Sequence, residues 1–114
     1  MITIKNNIIP LKGFTAFTLW PFIFVRKDKM YTPTVARHEA IHGEQQKEML
    51  IVLFLVWYAI EWIVKLCYYR NTMTAYKNIS FEREAYDRQA DIVYLGERKH
   101  FSWMKYIRTK GVAV

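Results

Sequence analysis

The segment His38-Glu39-Ala40-Ile41-His42 constrains the fold of this 114-residue chain more than any other part of its sequence. Its two histidines are four positions apart and lie one above the other if the segment is helical. Two imidazoles on one helix face can bind the same metal ion, and Glu39 beside them can take a proton from a water molecule. The alternative is an exposed helix with two surface histidines. The pattern predicts a helix that carries part of a metal centre, which the rest of the chain must complete.

The predicted motif helix has a clear start and a polar end. Thr32 is a favourable N-cap residue and Pro33 fits the first helical position. Gly43 costs about 1 kcal/mol in a helix interior, so it indicates a kink or a group that packs close to the second histidine. Gln45 and Gln46 follow that histidine by three and four residues and could hydrogen-bond to the metal ligands. A solvated polar turn is the alternative for these two glutamines.

Zinc suits two imidazoles, but a stable zinc site in a protein needs a further protein ligand. If residues 38–61 form one helix, Glu61 lies roughly 34 Å from His38 and cannot share an ion with it. We therefore expect Glu61 to pair with Lys65, four residues later. His100 stands in a basic turn and is expected to be a surface residue.

Stronger ligand candidates lie in a helix predicted within residues 79–96, which would run from Phe81 to about Leu95 and end at Gly96. At 100° per residue, Glu82 falls in the apolar sector of this helix, whereas Glu84 falls on the polar side with the nearby aspartates. A carboxylate among apolar side chains needs a partner, and a metal ion would serve. Glu82 is therefore the predicted third ligand and Glu84 the alternative. This mainly apolar, core-facing sector contains Phe81, Ala85, Gln89, Ile92 and Val93, and the aspartates are Asp87 and Asp91.

Residues 1–30 are rich in β-branched and aromatic side chains and predict a short β-hairpin or small meander. Residues 14–18 are expected to pair with residues 22–26. The edge strand of such a sheet could receive a peptide by strand addition. A sheet that only covers the helices is the alternative.

Residues 49–69 form the most apolar part of the chain. The twelve residues from Met49 to Ile60 are all apolar or aromatic, after which Glu61 and Lys65 interrupt the pattern. A helix that spans a membrane needs about 20 apolar residues. Three interpretations remain open, namely a buried core helix, a membrane-embedded or membrane-surface helix, and a helix that binds a partner.

Together these segments predict an α+β fold in a single domain, with a small N-terminal sheet packed on a mainly helical core. Hydrophobic residues make up 53% of the chain, which excludes a disordered protein. The formal charge of +7 is spread along the sequence, so no nucleic-acid partner is expected. Cys67 is the single cysteine and cannot form an internal disulfide. The N-terminus lacks a signal-peptide pattern, so we expect a cytoplasmic protein or one associated with the cytoplasmic membrane.

With these residues assigned, the chain resembles the glutamate-zincin class of zinc metallopeptidases. In that class one helix carries HExxH, and a later helix supplies a glutamate within an ExxA or ExxAD stretch. Here Glu82-Arg83-Glu84-Ala85 matches ExxA, and Tyr86 stands where the longer pattern has aspartate. The stretches RHEAIHGEQQ and AYKNISFEREAY also look like those of small, uncharacterised bacterial HExxH proteins.

The resemblance implies a zincin-like domain that holds one zinc ion through His38, His42 and Glu82. Glu39 would be the general base, and the activity would be zinc-dependent hydrolysis of a peptide or protein substrate. Tyr86 and Arg37 are candidate donors for the developing oxyanion.

Two further expectations concern how the protein works. The chain is short for a peptidase, so it could act as an oligomer, and residues 49–69 could attach it to a membrane. The alternative function is that of a non-catalytic small membrane or interaction protein with a structural or vestigial metal site.

Overall fold

A three-stranded sheet and a set of helices give the protein the predicted α+β fold. The computed structural model describes residues 2–10 and 13–107. In chain order, the elements are β1 (Ile2–Asn6), β2 (Ala16–Leu19), β3 (Phe22–Arg26), α1 (Pro33–Glu48), α2 (Leu50–Tyr69), α3 (Thr72–Lys77), α4 (Ser80–Arg88), α5 (Tyr94–Glu97) and a 3-10 helix, η1 (Ser102–Tyr106).

The sheet contains the predicted hairpin and one pairing that was not predicted. Strands β2 and β3 are antiparallel, with Ala16 opposite Val25 and Leu19 opposite Phe22. Strand β1 pairs with β3 in parallel, so the strand order is β1-β3-β2 and the expectation of a meander is wrong. This order leaves β2 at an edge of the sheet, where it packs against α1.

The motif helix begins as predicted. The Thr32 side chain accepts a hydrogen bond from the Val35 amide at 3.2 Å, and Pro33 occupies the first helical position. Helix α1 continues through Gly43 and ends at Glu48, and α2 starts after Met49 with Leu50 at a φ of +53°. Residues 38–61 therefore belong to two helices, and the distance of roughly 34 Å from His38 to Glu61 expected for one continuous helix does not apply.

Helix α2 is long and apolar but is not a core helix. All 20 of its residues are described, and Phe54 alone is buried. The interpretation of residues 49–69 as a buried core helix is therefore wrong. By length and composition only, α2 could cross a membrane. It packs on the rest of the protein through one narrow stripe, so most of its apolar side chains face outward.

The helix that carries Glu82 is shorter than predicted. Helix α4 ends at Arg88, and Gly96 lies inside the separate helix α5 rather than after the end of one long helix. In the intervening turn, the Asp91 carboxylate accepts a hydrogen bond from the Val93 amide at 3.1 Å. Such a local bond offers the backbone an alternative to the helix, which explains the early end.

A small aromatic core holds α4 in place beside α2 and η1. Phe54, Ile79, Phe81 and Trp103 form this cluster, and all four are buried. Trp103 belongs to η1. Because Phe81 is anchored in the core, the next residue, Glu82, is held close to α1.

Candidate metal centre

Three side chains predicted as metal ligands meet between α1 and α4. The Nε2 atoms of His38 and His42 lie 3.2 Å apart. The two oxygens of Glu82 lie 3.2 Å from His38 Nε2 and 3.1 Å from His42 Nε2. All three side chains are buried. Within the described residues, they form the one cluster of at least three such groups able to hold a metal ion.

The spacing of these atoms fits a tetrahedral metal ion. Two ligands that each lie 2.0–2.1 Å from zinc at a tetrahedral angle are about 3.3 Å apart. The two Nε2 atoms are 3.2 Å apart, and each lies 3.1–3.2 Å from a different oxygen of Glu82, which is within a few tenths of an ångström of this value. Lone pairs held this close repel one another unless a cation or a proton lies among them. Imidazole and carboxylate also bind other divalent transition metals, so the donor set fits zinc without selecting it.

Both imidazoles are oriented with Nε2 toward the cluster. His38 Nδ1 lies 2.8 Å from Gln89 Oε1, and His42 Nδ1 lies 2.8 Å from Gln45 Oε1. An amide oxygen can only accept a hydrogen bond, so each Nδ1 must carry the proton. When such a ring is neutral, its Nε2 atom keeps a lone pair, which is the state that binds a metal.

While no cation is bound, the Glu82 carboxylate and the His42 imidazole pair as ions. Burial by itself would lower the pKa of His42, but the negative charge of Glu82 outweighs it and raises this pKa to about 9. Burial would likewise raise the pKa of Glu82, but the charge on His42 holds it well below its usual range. A metal ion that binds here near neutral pH must therefore displace a proton from the cluster.

Glu39, the predicted general base, is held by the edge strand of the sheet. Its Oε1 atom accepts a hydrogen bond from Thr18 Oγ1 at 2.6 Å, and both residues are buried. One such bond leaves the other lone pairs of the carboxylate free. The hairpin was predicted from the sequence, but nothing in the sequence indicated that Thr18 would face Glu39.

A cavity of about 430 Å³ opens beside the cluster, and Glu39, His42 and Glu82 all line it. Most of the remaining wall is apolar. It comes from the segment between β1 and β2, from β2 itself and from α2, and includes Ile8, Ile9, Phe14, Phe17, Phe54 and Leu55. The Glu39 carboxylate and two of the three metal-binding groups, His42 and Glu82, therefore share the wall of a mostly apolar pocket.

Tyrosines surround the cluster, although the predicted one is not the best placed. Tyr86 stacks edge-on against His38 with ring centroids 4.5 Å apart, and its hydroxyl lies 3.3 Å from that of Tyr76. Tyr76 lines the cavity, as does Tyr58, which donates a hydrogen bond to Glu82 Oε2 at 2.8 Å. Tyr58 was missed because it stands in the apolar segment, where it was interpreted only as an aromatic residue. The other candidate donor, Arg37, donates instead to the backbone carbonyl at position 89.

Glu84, the alternative ligand, is occupied elsewhere. The prediction that it lies on a solvated side of its helix is wrong, since it is fully buried. The reason is that Arg98 covers this side of α4 and pairs with both Glu84, at 2.5 Å, and Glu48. Glu84 Oε1 also accepts a hydrogen bond from Gln45 Nε2 at 2.9 Å. Glu84 therefore reaches His42 only indirectly, through the amide of Gln45.

The remaining sequence candidates are also placed. Gln46 is buried and bonds to β2 through the Thr18 carbonyl at 2.8 Å, so the solvated turn suggested for it is wrong. Glu61 accepts a hydrogen bond from the Ser80 amide at 2.7 Å and lies outside the cluster. His100 is exposed, as expected, and Asp87 and Asp91 lie near Arg88 at the surface.

Comparisons of the chain with protein-family models, with curated proteins and with solved structures found no match. Membership of the glutamate-zincin class therefore stays a prediction. It rests on the HExxH segment at residues 38–42 and on the ExxA segment at residues 82–85.

Proposed function

We propose that this protein is a zinc-dependent peptidase in which His38, His42 and Glu82 hold the metal ion and Glu39 is the general base. The observation that carries the proposal is the approach of Glu82 to both histidines across 40 or more residues of sequence, with ligand atoms within 4.8 Å of one another. A carboxylate that is buried against two imidazoles needs a cation or a shared proton to offset the cost of its burial.

The residues of the chain have separate tasks in this proposal. When bound, a zinc ion acidifies a water molecule and polarises the carbonyl oxygen of a substrate. Glu39, oriented by Thr18, takes the proton from water in the cavity and returns it to the leaving amine. The Tyr76 hydroxyl lines the same cavity and is the candidate hydrogen-bond donor to the developing oxyanion. A peptide or protein substrate would lie along the cavity beside the edge strand β2.

Metal content and the Glu39→Gln variant test this proposal together. The purified protein should contain about one zinc ion per chain. Glu39→Gln should keep that ion and lose hydrolysis of a mixed peptide library by roughly 100-fold or more, because the general base is removed. Glu44→Gln, on the same helix and partly exposed, is the matched control and should behave as wild type. Undiminished hydrolysis by Glu39→Gln would refute the role of Glu39.

A second candidate function is favoured by the exposed apolar surface of α2. In it, the protein is a non-catalytic membrane or interaction protein whose metal ion is structural. The two candidates differ in the expected behaviour of Glu82→Ala. Loss of the metal from a structural site would unfold the protein, whereas loss from the proposed catalytic site would abolish hydrolysis and leave most of the helical circular dichroism signal.

A further inference from the structure

Helix α2 has two distinct sides. At 100° per residue, Phe54, Tyr58, Glu61 and Lys65 fall on the side that packs against the protein body. Both charged residues of the helix are therefore on this inner side, where Glu61 bonds to the Ser80 amide at 2.7 Å and Lys65 is partly buried. The outer side contains no charged residue.

The outer side is a large exposed apolar surface. Ten apolar or aromatic side chains of α2 are 40–75% exposed. Together they present roughly 1,000 Å² of apolar surface, about twice the largest patch on a typical soluble monomer. The middle of this surface is formed by Val56, Ile60 and Ile63, and Cys67 lies on the same side one turn further along. We call these four residues and their exposed neighbours on the helix the outer face.

Charge favours a lipid surface as the partner of the outer face. The chain has a formal net charge of +7, and exposed basic residues stand before, after and beside α2, namely Lys47, Arg70 and Lys77. Such residues attract the anionic headgroups of a bilayer. A second copy of the chain would instead place two strongly positive molecules against each other.

The packing of α2 indicates how it would meet a bilayer. Its inner side contacts α1 and α3 along the protein body. If α2 crossed the bilayer, the charged residues of that body would be carried into the hydrocarbon region at a high energetic cost. A helix that lies flat keeps them in water and places only its outer face among the lipids.

The outer face also adjoins the cavity beside the metal centre. Leu55 is 40% exposed and belongs both to α2 and to the cavity wall. Other apolar residues of the cavity wall, Ile8, Ile9, Phe14 and Phe17, are themselves 37–78% exposed. The apolar surface is therefore continuous from the outer face into the pocket that contains Glu39.

We propose that the outer face of α2 rests in the surface of an anionic lipid bilayer, and that the adjoining cavity takes apolar peptide segments that lie at that surface. The first half depends only on α2. The second half rests on the proposed peptidase function, because it names the substrate class of that site.

Vesicle binding by the full-length chain tests the first half. A polarity-sensitive fluorophore on Cys67, the single cysteine, reports insertion of the outer face. With vesicles of phosphatidylcholine and phosphatidylglycerol, the emission should shift to the blue, and the shift should weaken in vesicles of phosphatidylcholine alone or at high salt. Glu39→Gln should bind in the same way as wild type, so this result does not depend on catalysis.

Matched variants show whether the outer face is responsible. Val56→Asp combined with Ile63→Asp should weaken vesicle binding roughly tenfold or more, because two apolar side chains are lost from the contact. Met30→Asp combined with Ile92→Asp is the control, since these residues are 81% and 77% exposed and lie outside α2. Circular dichroism should be unchanged in both. Equal vesicle binding by both double variants, or no vesicle binding by the wild type, would overturn the proposal. A fluorescence change that depends on the protein concentration and not on the lipid concentration would also overturn it.

Hydrolysis tests the second half separately. The wild type should cleave an apolar peptide bound to the same vesicles at least tenfold faster than a soluble polar peptide, and the Val56→Asp/Ile63→Asp variant should lose this preference. Equal cleavage of both peptides would overturn the substrate class. Vesicle binding without cleavage of either peptide would refute the peptidase function and leave the membrane contact standing.

Discussion

Replacement of Arg98 by methionine should strongly destabilise this protein. Arg98 lies between two buried carboxylates, Glu84 and Glu48, with all three side chains at most 3% exposed. Burial would lower the pKa of Arg98, but its bonds to the two glutamates outweigh that effect and raise it. Methionine keeps much of the side-chain volume but leaves two carboxylates facing each other with no cation between them.

The magnitude follows from the loss of one partner in a buried ion pair, which costs about 3–5 kcal/mol. The total stability of a domain of this size is about 5–15 kcal/mol, so the variant loses a large fraction of it. In urea unfolding at pH 7, we expect the free energy of unfolding to fall by about that amount.

A surface pair in the same molecule provides the control. Arg88 pairs with Asp87 and Asp91, and its side chain is 43% exposed. Arg88→Met should therefore change the free energy of unfolding by about 1 kcal/mol or less. If Arg98→Met lowers the free energy of unfolding no more than Arg88→Met does, the buried network does not stabilise the fold.

Three further predictions concern the metal centre. Glu82→Ala should weaken zinc binding roughly 100-fold, as measured by competition with a chromophoric chelator, because one of three ligands is lost. Asp87→Ala, on the exposed side of α4, is the control and should leave the zinc affinity unchanged. With chelator present, the ion pair between His42 and Glu82 should stabilise the fold fully at pH values below about 6.5, the pKa of His42 in the unfolded chain. This contribution should disappear as the pH rises through about 9, the pKa of His42 in the folded protein, and urea unfolding across that range measures it. A flat profile would contradict the raised pKa. Thr18→Val should leave zinc content unchanged but slow hydrolysis, since Glu39 loses the bond that orients it; equal kcat in the variant and wild type would show that this bond is dispensable.

The elements that were predicted correctly depend on neighbours in sequence. A threonine cap, a proline at the first helical position and two histidines one turn apart determine α1 through contacts within a few residues. The hairpin of β2 and β3 is likewise local. Glu82 is buried beside His38 and His42, on the inner side of α4 that helical periodicity predicted for it, and its role as a metal ligand stays a prediction.

The failed predictions involve groups far apart in sequence. Glu84 is buried because Arg98 and Glu48, 14 and 36 residues away, cover the side of α4 that its own sequence marks as polar. Strand β1 joins β3 in parallel, which no pattern within either strand specifies. The aromatic residues of α2 fit a core as well as a surface when judged by sequence alone, so its exposure depends on what the rest of the chain covers.

By itself, the sequence determined that two imidazoles share a helix face with Glu39 beside them, because a 3.6-residue period leaves no other arrangement for HExxH in a helix. Tertiary structure alone decided that Glu82 comes within 3.2 Å of His38 and His42, that Thr18 orients Glu39, and that the apolar face of α2 is left uncovered next to the cavity. The physical reason is that these features depend on segments that are far apart in sequence. The buried aromatic core and the polar network around Arg98 pack these segments together.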